Sequence, residues 1–239
     1  MNKVCLSLFL AVLIMGSAGK VKAQNIEIGL RAMPMFASFK LQNYLGASVK
    51  GKALPGIGAG MLLAYNHNRH VGIQAEVYYN SITVKYELPA VVQKINLRYL
   101  NIPVLLSLNT DRTQLVNVNM VMGLQAGINT SNSLRITGES NPAIPQALLS
   151  VQRGDLGFAY GAGVDVSLDR LRRLRLSAGY RGVYGLFDIS DNNLELPADL
   201  YYLLDKSHVQ THSAYVGLSF LLGSAGWGEQ SYRSTYLPK

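Results

Sequence analysis

The sequence predicts an all-β chain, an eight-stranded antiparallel transmembrane β-barrel of meander topology with short periplasmic turns and long outer loops. Three observations carry this prediction. Apolar and polar residues alternate in runs from residue 26 to residue 223, with no amphipathic helix of any length between them. The connectors between runs alternate short and long, as in outer-membrane barrels. One face of the alternation is apolar and uncharged, while the other is crowded with glycine. Closing one sheet on itself removes exposed edges and is the economical architecture for such a chain.

The segment before the first run is read as a leader. Met1 to Lys3 is basic, Val4 to Ala18 is apolar but short of the roughly 20 residues a spanning helix needs, and Val21-Lys22-Ala23 supplies a small-residue cleavage pattern. Residues 1–23 are therefore expected to be a secretory signal peptide, cut before Gln24. The only cysteine, Cys5, lies inside it, so the mature chain has no disulfide, thiol nucleophile or thiolate metal ligand. Loss of Lys3, Lys20 and Lys22 lowers the formal charge from +8 to +5. That excess is mild and contains no basic run, so nucleic acid is not an expected partner.

The first run starts near Ile26 and holds Glu27 and Arg31 on its polar side. The second sets Ile57, Ala59, Met61, Leu63 and Tyr65 opposite Gly58 and Gly60. The third, from Val71, carries Gln74 and Glu76 on the polar side. In the fourth, Ile95, Leu97 and Tyr99 share a face by odd numbers, but Leu100, Ile102, Val104, Leu106 and Leu108 continue the apolar face by even numbers. A β-bulge near Tyr99 to Asn101 reconciles the two, and Pro103, which has no N–H to donate, fits beside such an irregularity. Arg98 is then expected in the lumen. The fifth run, "VNVNMVMGLQAGIN" (116–129), alternates almost without error. The sixth sets Leu156, Phe158, Tyr160, Ala162, Val164 and Val166 opposite Gly157, Gly161, Gly163 and Asp165. The seventh, from Leu174, carries Arg175, Gly179 and Arg181 on its polar side, and the eighth starts near His212.

Asn66 to His70, Asn109 to Leu115 and Asp169 to Arg173 are expected as short turns. Leu41 to Pro55, Leu88 to Gln93, Ser131 to Gly154 and Ile189 to Ser207 are expected as longer loops. All the long connectors follow odd-numbered runs, so they emerge at one end and both termini lie at the other, the periplasmic one.

A soluble lipocalin-like ligand-binding barrel also alternates, but with its apolar face inward. The uncharged apolar face is better explained by lipid, because a charge at the bilayer midplane costs about 2–4 kcal/mol. The glycines suit the cramped lumen of a small barrel, and Tyr65, Tyr78, Tyr79, Tyr99, Tyr180 and Tyr184 fall near run ends where interfacial girdles lie. Lipid is thus the expected outer contact. A polar network of Glu27, Arg31, Gln74, Glu76, Arg98, Asp165, Arg175 and Arg181 is expected to fill the lumen, which at this strand number leaves no open channel.

No catalytic, cofactor-binding or metal-binding residues are assigned. His67 and His70 share a turn but would need further ligands, His208 and His212 are expected on one strand face, and Ser213 points away from adjacent His212. There is no Gly-x-Ser-x-Gly or His-Glu-x-x-His motif. An outer-membrane enzyme acting on lipid or lipopolysaccharide is the alternative reading. Interaction surfaces are expected instead in two places. "LPADLYYLLD" within the last loop has the spacing of a short amphipathic helix presenting Leu200, Leu203 and Leu204. The tail, residues 224–239, follows the barrel at 24–223 and offers Trp227, Tyr232 and Tyr236 to a periplasmic protein partner.

"NLRYLNIPVLL" (96–106), with "GIQAEVYYN" (72–80), "GLQAGIN" (123–129) and "GFAYGAGVDVSL" (157–168), resembles the PorT-like outer-membrane β-barrel family of Bacteroidota. The terminal run "SAYVGLSFLLG" (213–223) is similar to the insertion signal that ends outer-membrane barrels, although residues follow it here. With no catalytic motif and a lumen expected to be filled, the chain reads first as a non-enzymatic outer-membrane barrel that serves as an anchor or interaction module, and the resemblance is consistent with that. The resemblance also implies a place in or beside the type IX secretion and gliding machinery, whose subunits would be partners.

Overall fold

A computed structural model describes residues 26–87, 91–138, 145–193, 195–197 and 199–222. The expected signal peptide and the aromatic tail lie outside the described residues. Twelve strands are formed and no helix is present among the described residues. Eight strands close the barrel: β1 (Ile26–Ser38), β4 (Lys52–Asn66), β5 (Val71–Glu87), β6 (Val91–Asn109), β7 (Val116–Gly138), β9 (Gly154–Ser167), β10 (Leu174–Gly185) and β12 (Gln210–Leu222). Each pairs antiparallel with the next, and β1 returns to β12 with Ile26 opposite Leu222. The chain therefore enters and leaves the barrel at the same end, where the turns 67–70, 110–115 and 168–173 also lie.

Four short strands belong to the connectors of the opposite end. β2 (Lys40–Gln42) and β3 (Ser48–Lys50) form a hairpin, and β8 (Gln146–Leu148) pairs in parallel with β11 (Leu200–Tyr202). The third connector is not the loop expected over Leu88 to Gln93. The ladder continues to Glu87 opposite Val92, so only residues 88–90 separate β5 from β6. β7 likewise runs on to Gly138, well into the expected loop from Ser131.

Prolines interrupt the ladder where a donor is missing. Between Ala75↔Val104 and Tyr78↔Asn101 the β5–β6 pairing skips Pro103 and its neighbour. Between Ala32↔Val216 and Met35↔Ser213 the closing seam skips Pro34. The bulge beside this region lies not in β6 but in β7. Arg98 opposes Ser131 and Tyr99 opposes Asn129, leaving Thr130 as the extra residue, with its Oγ1 donating to Arg98 O at 3.1 Å.

β6 keeps a single parity throughout, and this corrects the sequence expectation. Ile95, Leu97, Tyr99, Asn101, Leu105, Ser107 and Asn109 all point inward, while Lys94 and Arg98 are exposed outside. The face does not change; the surroundings do. Within the bilayer, apolar side chains point out to lipid and polar ones in. Beyond it the outside is water, so apolar side chains turn inward and charges face out. Arg98 is therefore not a lumen residue. Tyr78 and Tyr99 are likewise buried inside and are not girdle residues, unlike exposed Tyr65, Tyr79, Tyr180 and Tyr184.

The belt expected to face lipid is the exposed face of the barrel. It includes Leu30, Met61, Ile73, Val104, Met120, Leu124, Val164, Leu176 and Val216. This places the apolar face outside and excludes the soluble lipocalin-like arrangement. Along its edge, Phe158, Tyr160, Tyr180 and His212 form a cross-strand aromatic row with ring centroids 6.5, 6.4 and 6.1 Å apart.

Candidate functional site

The lumen is filled in three layers. At the short-turn end, Glu27 accepts from Ser219 Oγ at 2.6 Å, from Asn66 Nδ2 at 3.4 Å and from the guanidinium of Arg112. Asp165 Oδ2 accepts from Asn117 Nδ2 and Asn119 Nδ2, each at 2.9 Å. Arg175 donates to the Arg112 carbonyl. Arg112 was not among the lumen residues read from the sequence, because it sits in a turn outside any alternating run. Only the fold of 110–115 brings it under the barrel, where Arg112 Nη1 also donates to Asn109 Oδ1 at 3.1 Å.

The middle layer is centred on Glu76. Arg31 Nη1 lies 2.5 Å and Arg181 Nη2 3.0 Å from Glu76 Oε1, and Gln74 donates to the same oxygen. Two guanidiniums on one carboxylate, with Arg181 only 1% exposed, make this the charge cluster on which the lumen depends. Tyr215 lies beneath both arginines, its ring centroid 4.4 Å from Arg31 Cζ and 5.9 Å from Arg181 Cζ. Two glycines facing each other across β9 and β10, Gly163 and Gly179, make room for it: a Cβ on Gly163 would sit 2.1 Å from the Tyr215 hydroxyl oxygen. Above, a neutral chain runs from Tyr78 Oη to Gln125 Oε1 (2.6 Å), Gln125 Nε2 to Asn101 Oδ1 (3.1 Å) and Asn101 Nδ2 to Asn80 Oδ1 (2.8 Å). Thus Glu27, Arg31, Gln74, Glu76, Asp165, Arg175 and Arg181 all lie in the lumen, in two separate charge groups.

The third layer is apolar. Met33, Met35, Ile82, Val84, Ile95 and Leu97 line the long-loop end and are closed over by Ile189, Leu203, Leu204 and Val209. The described residues of 186–209 thus form a lid, and this corrects the expected amphipathic helix: Leu200–Tyr202 form strand β11, with Leu200 half-buried. Leu203 and Leu204 are 0% and 1% exposed, packed into the barrel and not presented to a partner. Backbone bonds tie the lid to its neighbours, with Leu203 N donating to Leu148 O and Gln42 N to Leu203 O, both at 2.9 Å. Between the polar and apolar layers remains a cavity of about 20 Å³, lined in part by Tyr99, Asn101, Asp155 and Thr211, with room for one water.

Asp188 fixes the two ends of the lid. Its Oδ1 accepts from Ser190 N (2.9 Å), Ser190 Oγ (2.6 Å) and Ser207 N (2.8 Å). Burial pushes this carboxyl up, but the Ser190 and Ser207 hydrogen bonds outweigh it and hold it below the usual 3.8. A lowered folded-state value means stabilisation that is present above the unfolded value and is lost as pH falls through the folded one. Asp188→Ala should therefore speed hydrogen exchange across 189–207 by about tenfold at neutral pH. The difference from wild type should vanish once the pH drops well below 3.8. Equal exchange at neutral pH would show that the lid does not hang on this carboxylate.

Among the described residues, no group of three or more His, Cys, Asp or Glu is placed to hold a metal. His208 and His212 do not share a strand face: His212 is outside with its Nδ1 2.5 Å from the Tyr180 hydroxyl, while His208 precedes β12 with its Nδ1 buried.

The model of a family described as outer membrane protein beta-barrel domain matches residues 22–191. No curated protein matches the sequence. Among solved structures, neisserial surface protein A is 18% identical with a TM-score of 0.39, over 82% of this chain and 96% of that one. The attachment invasion locus protein Ail of Yersinia pestis is 14% identical with a TM-score of 0.36, over 81% and 98%. The N-terminal β-barrel domain of Pseudomonas aeruginosa OprF is 12% identical with a TM-score of 0.37, over 82% and 98%.

Proposed function

From the premise that the chain belongs to the outer membrane protein β-barrel domain family, we propose that this outer-membrane barrel is a non-enzymatic anchor and interaction module, working through its ends and not its interior. The observation that carries this reading is the filled lumen, polar from Glu27 to Asn80 and apolar from Met33 to the lid. A solute has no path through it, and a side-chain-packed interior is what a barrel of this strand number provides. Polar groups do approach one another near the long-loop end, where Tyr99 and Asp155 line the small cavity and His208 is a charge neighbour of Asp155. Space for a single water under a packed lid gives a lipid substrate no access to them.

The finer assignment is a PorT-like barrel of Bacteroidota, in or beside the type IX secretion machinery. It is supported by the Tyr-Leu-x-Ile-Pro step at Tyr99 to Pro103 and the accompanying stretches of β5, β7 and β9. The topology has both termini in the periplasm, supported by Ile26 and Leu222 lying side by side at the short-turn end. The lid withdraws Leu203 and Leu204 from contact, so the partner surface falls on the tail, with Trp227, Tyr232 and Tyr236 as its aromatic anchors.

Truncation after Ser224 should leave the heat-modifiable gel mobility of the folded barrel intact. It should also remove a periplasmic partner, a secretion-machinery subunit on the finer assignment, from crosslinked pull-downs of native outer membrane. Recovery of the same partners at the same yield would take the interaction away from the tail.

A further inference from the structure

β5, β6 and β7 are 17, 19 and 23 residues long. At about 3.3 Å per residue and a tilt near 45°, roughly 13 residues cross a core of about 30 Å. These strands therefore overrun the bilayer, and the surplus rises at the long-loop end. There the register sets Lys52 opposite Lys85, Lys85 opposite Lys94 and Lys94 opposite Arg135. Four adjacent strands thus carry one unbroken row of cations, about 14 Å long. Val84 and Ile95 beside the row are buried inside, so the row faces outward. Exposed Arg98 lies on the same face, between the row and the apolar belt that continues through Val104, Leu106 and Leu108.

Like charges directly opposite each other on antiparallel strands repel. Glu87 pairs with Lys85 at 2.6 Å and its charge also acts on Lys52, but Lys94 and Arg135 have no carboxylate partner among the described residues. The row is thus a surface whose self-repulsion an anionic ligand relieves.

We propose that Lys52, Lys85, Lys94 and Arg135, with Arg98 below them, dock the multiply phosphorylated headgroup of a glycolipid in the leaflet at the long-loop end. A lipid source follows from the face: the cations stand directly above the lipid-facing belt of the same strands, where a lipid whose chains lie on that belt presents its headgroup. Several phosphates on one headgroup follow from the length of the row, which a single phosphate does not span. Four strand positions separate Arg98 from Lys94, about 9 Å in depth on a strand tilted near 45°, so the site meets charge at two levels. That this leaflet is the outer one rests on the topology proposed above.

The test uses the full chain folded in neutral detergent micelles, which makes it independent of orientation in the cell. Diphosphorylated lipid A, its dephosphorylated form and soluble inositol hexakisphosphate are titrated against wild type, and binding is read by native mass spectrometry. The combined variant Lys52→Gln, Lys94→Gln and a control variant at the other end, Arg69→Gln with Arg170→Gln, are titrated alongside. Heat-modifiable mobility without lipid establishes that each is folded. Wild type should bind diphosphorylated lipid A and release it as salt rises, each row cation removed should weaken binding about fivefold, and the control should bind as wild type does. Equal binding of the dephosphorylated lipid, or unchanged binding by the row variant, overturns the proposal. Equally tight binding of the soluble hexakisphosphate overturns the lipid source and makes the row a site for a soluble polyanion.

Discussion

Glu76→Gln should be the most damaging conservative substitution in this barrel, lowering its unfolding free energy by about 3–5 kcal/mol. The carboxylate is the shared partner of Arg31 at 2.5 Å and Arg181 at 3.0 Å, and all three side chains are buried. Removing its charge leaves two buried guanidiniums inside the lumen without the carboxylate they share. Replacing the whole cluster removes the unpaired charges as well as the pairs. The triple variant Arg31→Met, Glu76→Leu, Arg181→Met should therefore recover most of the loss. Urea titration of protein folded into lipid vesicles, read by gel mobility, measures both. A Glu76→Gln protein within about 0.5 kcal/mol of wild type would mean that water screens these charges and that the lumen is wetter than its packing indicates.

Leu124→Arg should cost about 2–4 kcal/mol and slow or abolish insertion, because it places a cation near the bilayer midplane. Leu124 is 54% exposed on the outer face of β7, one outward step from Met122 at the centre of the apolar stripe from Val116 to Ile128. Its cross-strand neighbours Val104 and Phe158 are also exposed and apolar. The adjacent Gln125 points the other way, accepting from Tyr78 and donating to Asn101, and a Gln125→Asn change should be mild. Normal folding of Leu124→Arg beside failure of Gln125→Asn would turn the barrel inside out. Both results are read by heat-modifiable mobility after refolding into vesicles.

These two residues also mark how far the sequence reaches. Which side of β7 is greasy and which is wet is a local property, since successive side chains on a strand must point to opposite faces. Alternation therefore determined the eight barrel strands, the lipid belt, and the inward placement of Glu27, Arg31, Gln74, Glu76, Asp165, Arg175 and Arg181 without any knowledge of neighbours. It also determined the three short turns, whose residues cannot continue a ladder.

Tertiary structure decided everything that depends on where the lipid stops and which strand lies beside which. Alternation shows that a face is apolar but not whether lipid or a packed interior receives it. Ile95, Leu97 and Tyr99 therefore suggested a bulge in β6, when the strand in fact keeps its parity and passes from hydrocarbon into water. The same passage put Arg98 outside and Tyr78 and Tyr99 inside, and it gave Leu203 and Leu204 an apolar mouth to close, in place of a helix face to expose. Arg112 reaches Glu27 across 85 residues of sequence. The row from Lys52 to Arg135 exists only once four strands are in register. Period two is written into each strand alone, whereas register and depth are set by pairing between strands and by the thickness of the membrane, and neither has a signature at any one residue.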